Sequence, residues 1–338
     1  MASVARIPVF LLTGFLGSGK TTLLNAALKS PSLANTAVVV NELGDIGLDQ
    51  VALAQATDNV VLLDAGCLCC ANTGALHETL GDLLARRAQG TLPPFERVII
   101  ETSGAADPAP LVNVLLGHPL VTGGYAFAGT TCVVDAQHFL VSRQAYPELD
   151  KQLAMADRIV VSKRDLADAG PVLSYLVDLD AEIVASVPDA FPSNAAIGKL
   201  PAPLSSLGPI RNREHFSGIR AFSFRPPAPV TWAGWSAWTR LVKAAFGAKL
   251  IRTKGLLQMD DGLGTGGEIA FVQGVQGVFH APQRFKHWPD GNPGNRLVCI
   301  ARDLGEKDIA ITLPALNTPA GTEASYSMQE LQQRQAQR

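Results

Sequence analysis

Residues Gly14-Phe15-Leu16-Gly17-Ser18-Gly19-Lys20-Thr21 fit the pattern G-x-x-x-x-G-K-[ST]. That pattern is built to hold phosphate. Glycines at 14, 17 and 19 let the backbone turn tightly, so that amide N–H groups converge on phosphate oxygens. A helix starting at the end of the loop would add the partial positive charge of its N-terminus. Lys20 is placed to reach the β- and γ-phosphates, and the Thr21 hydroxyl to ligate Mg²⁺. Ser18 and Thr22 complete the set of residues expected around the nucleotide.

Three further clusters carry chemistry. Arg97-Val98-Ile99-Ile100-Glu101-Thr102-Ser103-Gly104 is an apolar run ending in an acid. A carboxylate at such a strand end holds Mg²⁺, and a glycine shortly after it can offer its N–H to the γ-phosphate. Glu101 and Gly104 are therefore site candidates, with Lys20 and Glu101 in the catalytic roles. Ser162-Lys163-Arg164-Asp165 follows a second apolar run. An aspartate there can accept two N–H bonds from guanine, with the lysine stem lying over the ring. Adenine lacks that donor pair, so Asp165 favours GTP over ATP and over a small-molecule kinase. Ser162 stands where Asn is more familiar, and its hydroxyl can replace some of the contacts of Asn with the phosphate loop. The third cluster is Cys67-Leu68-Cys69-Cys70, three thiols within four residues. Close thiolates suit Zn²⁺ and other soft or borderline ions, and three leave one tetrahedral position open. A buried apolar triplet or a redox pair are the alternatives. Glu42, in Asn41-Glu42-Leu43-Gly44, can hold a metal, orient a water or cap a turn.

These residues need strands and helices to place them. Apolar runs of strand length lie at 7–12, 37–40, 60–63, 97–100, 130–134 and 158–161. Helical spacing runs over 22–28, 72–87 and 148–156. Strands alternating with helices predict a mostly parallel sheet covered on both faces. Each cluster then falls at the end of a strand. Cys132 and Cys299 are single cysteines in apolar runs and read as core.

The ordered set, from the phosphate loop through Asn41-Glu42-x-Gly44, the three cysteines and Glu101-Thr102-Ser103-Gly104 to Ser162-Lys163-x-Asp165, resembles the CobW-type P-loop GTPases. The resemblance covers the N-terminal half most strongly. It implies slow GTP hydrolysis with Mg²⁺ and a transition metal at Cys67, Cys69 and Cys70; three thiolates suit Zn²⁺ best, with Co²⁺, Ni²⁺ or Fe²⁺ as alternatives. It implies that Glu42 stands near that metal, and that the metal is handed to a client metalloprotein. The rival is a nucleotide-dependent assembly factor with sensing thiols and no metal cargo. One departure from many metal-delivering relatives is the absence of a His-rich run. His77, seven residues past Cys70, is a candidate fourth ligand or a helix-surface residue.

The 338 residues exceed one usual core, and 47% hydrophobic with 17% charged residues is a globular balance. The expected division is an α/β P-loop NTPase domain over 1–190, a Pro/Ser/Gly-rich linker over 191–217, a smaller C-terminal α+β domain over 218–316, and a polar tail over 317–338. In the second domain, strands are expected at 219–224, 249–257, 269–279 and 296–301, and a helix at 232–246, with the tryptophans in the core. Arg252-Thr253-Lys254-Gly255 and Val272-Gln273-Gly274-Val275 resemble the CobW C-terminal domain more loosely. A formal net charge of −2 argues against a nucleic-acid footprint. No apolar run approaches the roughly 20 residues of a membrane span, and a cytoplasmic location is expected. Oligomeric state is open, a homodimer being one of the assemblies allowed.

Overall fold

The structure, a computed structural model, describes residues 6–40, 60–64, 73–177, 179, 181–184, 188–192, 218–227, 230–260, 267–289 and 291–319. The chain divides into two units, one of residues 1–177 with 181–201, the other of 178–180 with 202–338.

The first unit alternates strand and helix. In chain order it holds β1 (Ile7–Gly14), α1 (Lys20–Leu28), β2 (Thr36–Val40), β3 (Val60–Asp64), α2 (Thr73–Ala88), β4 (Arg97–Glu101), α3 (Ala109–Gly117) and α4 (Pro119–Gly124). β5 (Tyr125–Asp135), α5 (Phe139–Ala145), α6 (Glu148–Met155), β6 (Arg158–Ser162), α7 (Gly170–Leu176) and β7 (Glu182–Val184) follow. The strands form one sheet in the order β3-β2-β4-β1-β5-β6-β7. Every pairing is parallel. All eight residues of β1 are buried, so both of its faces are covered. Parallel strands read as continuous apolar runs for that reason. Phe10 and Leu12 meet Leu23, Leu24, Ala27 and Leu28 of α1 in one core cluster, with Val38, Ile99, Val133 and Val160 from the neighbouring strands.

β1 is central. β2 and β3 lie out beyond β4 on one side of it, and β5 begins the other side. Strand order reverses at β1, and ligands of open α/β sheets bind beyond the carboxyl ends of the strands at such a point. The chain leaves β1 there as the glycine loop. β5 is longer than expected: it pairs with β1 from Tyr125 onward, across an irregularity between Val9 and Phe10.

The second unit holds β8 (Ile219–Phe224), β9 (Val230–Thr231), α8 (Trp232–Phe246), β10 (Leu250–Asp260), β11 (Ile269–Val275), β12 (Val278–Phe279), β13 (Gln283–Phe285), β14 (Arg296–Arg302) and α9 (Glu306–Ala310). Its antiparallel core runs β12-β11-β10-β14-β8. The run at 269–279 is two strands, not one. Gln276 and Gly277 take φ of 49° and 73°, which closes a two-residue hairpin between β11 and β12. α8 packs Trp235, Trp238, Leu241 and Val242 against Phe222, Phe224, Leu257 and Val272 of the sheet. Trp235 and Trp238 are core, as expected, while Trp232 packs at the edge of that cluster. Cys132 and Cys299 are buried in their respective units.

Candidate functional site

The phosphate loop spans the gap between β1 and α1. Gly14, Gly17 and Gly19 have φ of 144°, 69° and 93°. At Gly14 the requirement is also steric, because a Cβ there would stand 2.5 Å from the Val133 carbonyl oxygen of β5. The Ser18 N–H donates to the Phe15 carbonyl at 3.1 Å, which curls the loop. The Ser18 hydroxyl is buried with no protein hydrogen-bond partner. The Lys20 ammonium, also buried, donates to the Phe15 carbonyl at 3.3 Å, so its charge is held at the loop. A tight glycine turn at a helix N-terminus, with a buried hydroxyl and a buried cation, suits a phosphate chain.

The strand-end acid stands beside this cradle. Thr21 Oγ1 donates to Glu101 Oε1 at 2.9 Å, and Glu101 is 4% exposed. A hydroxyl and a carboxylate brought together at the cradle's edge form an all-oxygen donor pair of the kind Mg²⁺ takes in nucleotide sites. The residues present therefore fit that ion. β4 is fastened to β1 just beyond this pair: the Thr102 N–H donates to the Leu12 carbonyl at 2.9 Å, and Thr102 Oγ1 to Thr13 Oγ1 at 3.0 Å. The chain then turns at Gly104, where a Cβ would lie 2.6 Å from the Leu16 nitrogen of the phosphate loop. The loop after β4 and the phosphate loop touch backbone to backbone.

β6 brings in the Ser162–Asp165 cluster. Ser162 Oγ donates to the Ser18 carbonyl at 2.6 Å and lies 3.3 Å from the Val134 carbonyl. A hydroxyl at this position thus ties the element to the phosphate loop directly. Lys163 has φ of 55°, and its ammonium donates to Asp135 Oδ2 at 2.6 Å. Asp165 is exposed in the turn that follows, as is Thr22 on α1.

Asp135 was not singled out by its sequence, although it is an acid closing an apolar strand just as Glu101 is. Its Oδ1 accepts the Gln137 N–H at 2.7 Å, and His138 Nδ1 lies 3.3 Å from Oδ2. Burial pushes this carboxyl up, but the Lys163 ammonium, the Gln137 amide and the His138 ring together outweigh it. They hold Asp135 below the usual carboxylate range. Burial likewise pushes the Cys132 thiol up to about 12, against a smaller opposite pull from Lys20. That thiol stays protonated and is a packing residue.

Structure therefore joins Gly14, Gly17, Ser18, Gly19, Lys20, Thr21, Glu101, Gly104, Ser162 and Lys163 around one loop at the carboxyl edge of the sheet. Glu42, Cys67, Cys69 and Cys70 lie outside the described residues. Among the described residues no group of three or more His, Cys, Asp or Glu is placed to hold a metal ion. His77, on α2, stacks on His118 with ring centroids 4.1 Å apart.

Comparison with known proteins bears on the same residues. Residues 8–187 match the family described as "CobW/HypB/UreG, nucleotide-binding domain", and residues 219–316 match "Cobalamin synthesis protein cobW C-terminal domain". The chain belongs to the CobW family. The zinc chaperone YjiA of Escherichia coli is 30% identical over 324 residues, covering 92% of this chain and 98% of that protein. The zinc-regulated GTPase metalloprotein activator 1 of Saccharomyces cerevisiae is 25% identical, covering 90% of this chain and 82% of its own. The crystal structure of Zn(II)-bound YjiA GTPase aligns over 93% of this CobW-family chain and all of that one, with a TM-score of 0.66 at 25% identity. The expected fold, a parallel P-loop NTPase domain with a smaller C-terminal sheet domain, is the one observed.

Proposed function

We propose that this CobW-family protein is a GTP-hydrolysing metallochaperone that carries zinc on Cys67, Cys69 and Cys70, with Glu42, and passes it to a client metalloprotein. The observation that carries the nucleotide half is the single assembly of phosphate loop, Thr21–Glu101 pair and Ser162–Lys163 element. Support for the metal half comes from the density of thiols at 67–70 and from relatives named as zinc chaperones and zinc-regulated activators.

In this reading the glycine loop's amides and Lys20 hold the β- and γ-phosphates. Thr21 and Glu101 hold Mg²⁺, which supplies charge neutralisation at the transferring phosphoryl group. Gly104 presents its N–H toward the γ-phosphate, and its backbone contact with Leu16 lets a change there reach the rest of the loop. Lys163, aligned by Asp135, lies over the base, and Asp165 accepts the guanine N–H pair. Loss of the γ-phosphate would release the loop at Gly104. The cysteines follow directly on β3, whose neighbour β2 pairs with β4. A change at the end of β4 is then one strand removed from the metal segment.

The test is a zinc titration of reduced protein against a colorimetric chelator, run beside GTP turnover. Stoichiometric binding that a Cys67→Ser, Cys69→Ser, Cys70→Ser variant loses, with GTP hydrolysis retained, is the expected result. Equal zinc affinity in that variant would remove the cargo assignment and leave a regulatory GTPase.

A further inference from the structure

The loop that follows β4 runs from Thr102 to Pro108 and carries Gly104. One helix fastens it, in addition to its contact with the phosphate loop. Gln152 of α6 is 1% exposed, and its amide nitrogen donates to two carbonyls of this loop, Gly104 at 3.0 Å and Ala106 at 3.1 Å. The preceding residue on the helix, Lys151, pairs with Asp107 at 3.6 Å. Asp107 in turn accepts the N–H of Ala109, the first residue of α3, at 3.0 Å. The other wall of the loop is the phosphate loop itself. A Cβ on Gly104 would meet Leu16 N at 2.6 Å and Leu16 Cα at 2.8 Å. Gly104 is thus clamped between the backbone of Leu16 and the side chain of Gln152.

We propose that Gln152 is a positioning residue for GTP hydrolysis: it sets the conformation of Gly104 so that this residue registers the γ-phosphate. The inference rests on the GTPase reading above and adds a residue to it. Fixing the Gly104 carbonyl fixes the rotation of Gly104 about its Cα–C bond, and fixing the Ala106 carbonyl braces the turn that the Ala106 N–H closes on the Ser103 carbonyl at 3.1 Å. A glycine has the widest backbone freedom of any residue, so without an outside hold the segment would sample many orientations of its amides. Both NH₂ hydrogens of one carboxamide are used, which a hydroxyl cannot supply. The bonds are buried, so removing the donor leaves two carbonyls without water to replace it, and the loop must shift to satisfy them. GDP lacks the phosphate that Gly104 meets. The effect of Gln152 should therefore fall on GTP and on turnover and spare GDP.

The experiment compares wild type with Gln152→Met, similar in shape but without a donor. It measures kcat and KM for GTP, and affinities for GDP and a non-hydrolysable GTP analogue. Two buried hydrogen bonds correspond to roughly ten- to hundredfold. The expected result is a fall of that order in kcat at saturating GTP, weaker analogue binding, and GDP affinity within about twofold of wild type. If kcat and the ratio of analogue to GDP affinity stay unchanged, or if GDP affinity falls in parallel with the analogue, the inference is overturned. The parallel fall is what a purely structural residue would give. Should Gln152→Met fail to fold, Gln152→Asn takes its place with the same reading, since it keeps the amide but draws it back from both carbonyls. Absence of GTP turnover in wild type would instead remove the GTPase reading itself.

Discussion

At the scale of single residues, the proposed nucleotide site leans on one acid outside the phosphate loop, Asp135. Lys163 has a flexible stem, and its reach over a base is defined by what holds its ammonium. Asp135 holds it at 2.6 Å and is itself braced by the Gln137 amide. Asp135→Asn keeps the shape and removes the charge, so Lys163 loses its anchor. Affinity for GDP and for GTP should fall together by about tenfold, as expected for loss of one charge-assisted hydrogen bond. Isothermal titration with either nucleotide checks this, and an unchanged affinity would show that Lys163 is placed by something else. The pH dependence has a definite sign. Asp135 titrates below the ordinary carboxylate range in the folded chain. Its contribution is therefore complete above about pH 4 and is lost only as pH falls through the lower, folded value. Any change of affinity between roughly pH 6 and pH 8 belongs to other groups.

Elements are where sequence and structure part company, and the partings have physical causes. The phosphate loop was legible because its chemistry is local: strand, glycines, lysine and helix are contiguous in the chain. Glu101 and the Ser162-Lys163-x-Asp165 element were legible because each closes a continuous apolar run. Asp135 closes such a run too, but its partner is 28 residues away, and only the pairing of β5 with β6 brings Lys163 to it. Gln152 carries no sequence signal at all. It is a polar residue on a short helix, and its partners lie 46 and 48 residues back. The start of β5 was hidden because Tyr125 to Gly129, Tyr-Ala-Phe-Ala-Gly, contains no β-branched residue and ends in a glycine, and its strand state comes from backbone pairing with β1. In the second unit, the break between β11 and β12 was hidden because Gln-Gly is a weaker hairpin signal than Asn-Gly.

The same scale supplies a prediction about α8. Its N-cap, Thr231, accepts the Gly234 N–H at 2.8 Å, and its hydroxyl also donates to the Thr318 carbonyl. Gly234 lies where the helix meets the short turn Leu313–Asn317. A Cβ there would fall 2.0 Å from the Leu316 carbonyl oxygen and 2.4 Å from its carbon. Alanine is the better helix former by about 1 kcal/mol, so an isolated helix would gain from Gly234→Ala. Backbone cannot move aside as a side-chain tip can, so the clash should win. Trp238 makes the shift costly, because its indole N–H donates to the Thr312 hydroxyl at 2.9 Å on the same stretch of chain. Gly234→Ala is expected to destabilise the protein by about 1–3 kcal/mol, the usual cost of overpacking. Thermal or urea unfolding followed by tryptophan fluorescence, which reports on Trp235 and Trp238 of this core, measures it. A stabilised variant would show that the turn at 313–317 yields.

For the molecule as a whole, the question is whether nucleotide and metal are coupled. Residues 41–59 lie between β2 and β3, and residues 65–72 between β3 and α2. The proposed metal residues are confined to these two connections, while the proposed nucleotide residues sit on β1, the start of α1, β4, β5 and β6 and the loops that follow the strands. No proposed metal ligand is also a nucleotide ligand. Among the described residues, one route between the two is β4 to β2 to β3, register-paired at Val40↔Glu101 and Val40↔Asp64. Coupling of this kind is a free energy between two sites, and it is necessarily reciprocal. If a GTP analogue changes zinc affinity by some factor, zinc must change affinity for the analogue by that same factor. Typical couplings of about 1–3 kcal/mol correspond to roughly 5- to 150-fold, well within the range of titration. A chaperone that releases its metal on hydrolysis needs this factor to differ between GTP and GDP, with zinc held more tightly in one state. We expect zinc affinity to change by at least about fivefold between the analogue and GDP complexes, with the reverse titrations giving the same ratio. Gln152→Met should shrink that difference, because it is expected to weaken the response to the γ-phosphate without touching the thiols. Equal zinc affinity with GDP and with the analogue would mean that hydrolysis does not drive metal release, and the chemistry at Glu101 and Gly104 would have to serve client binding instead.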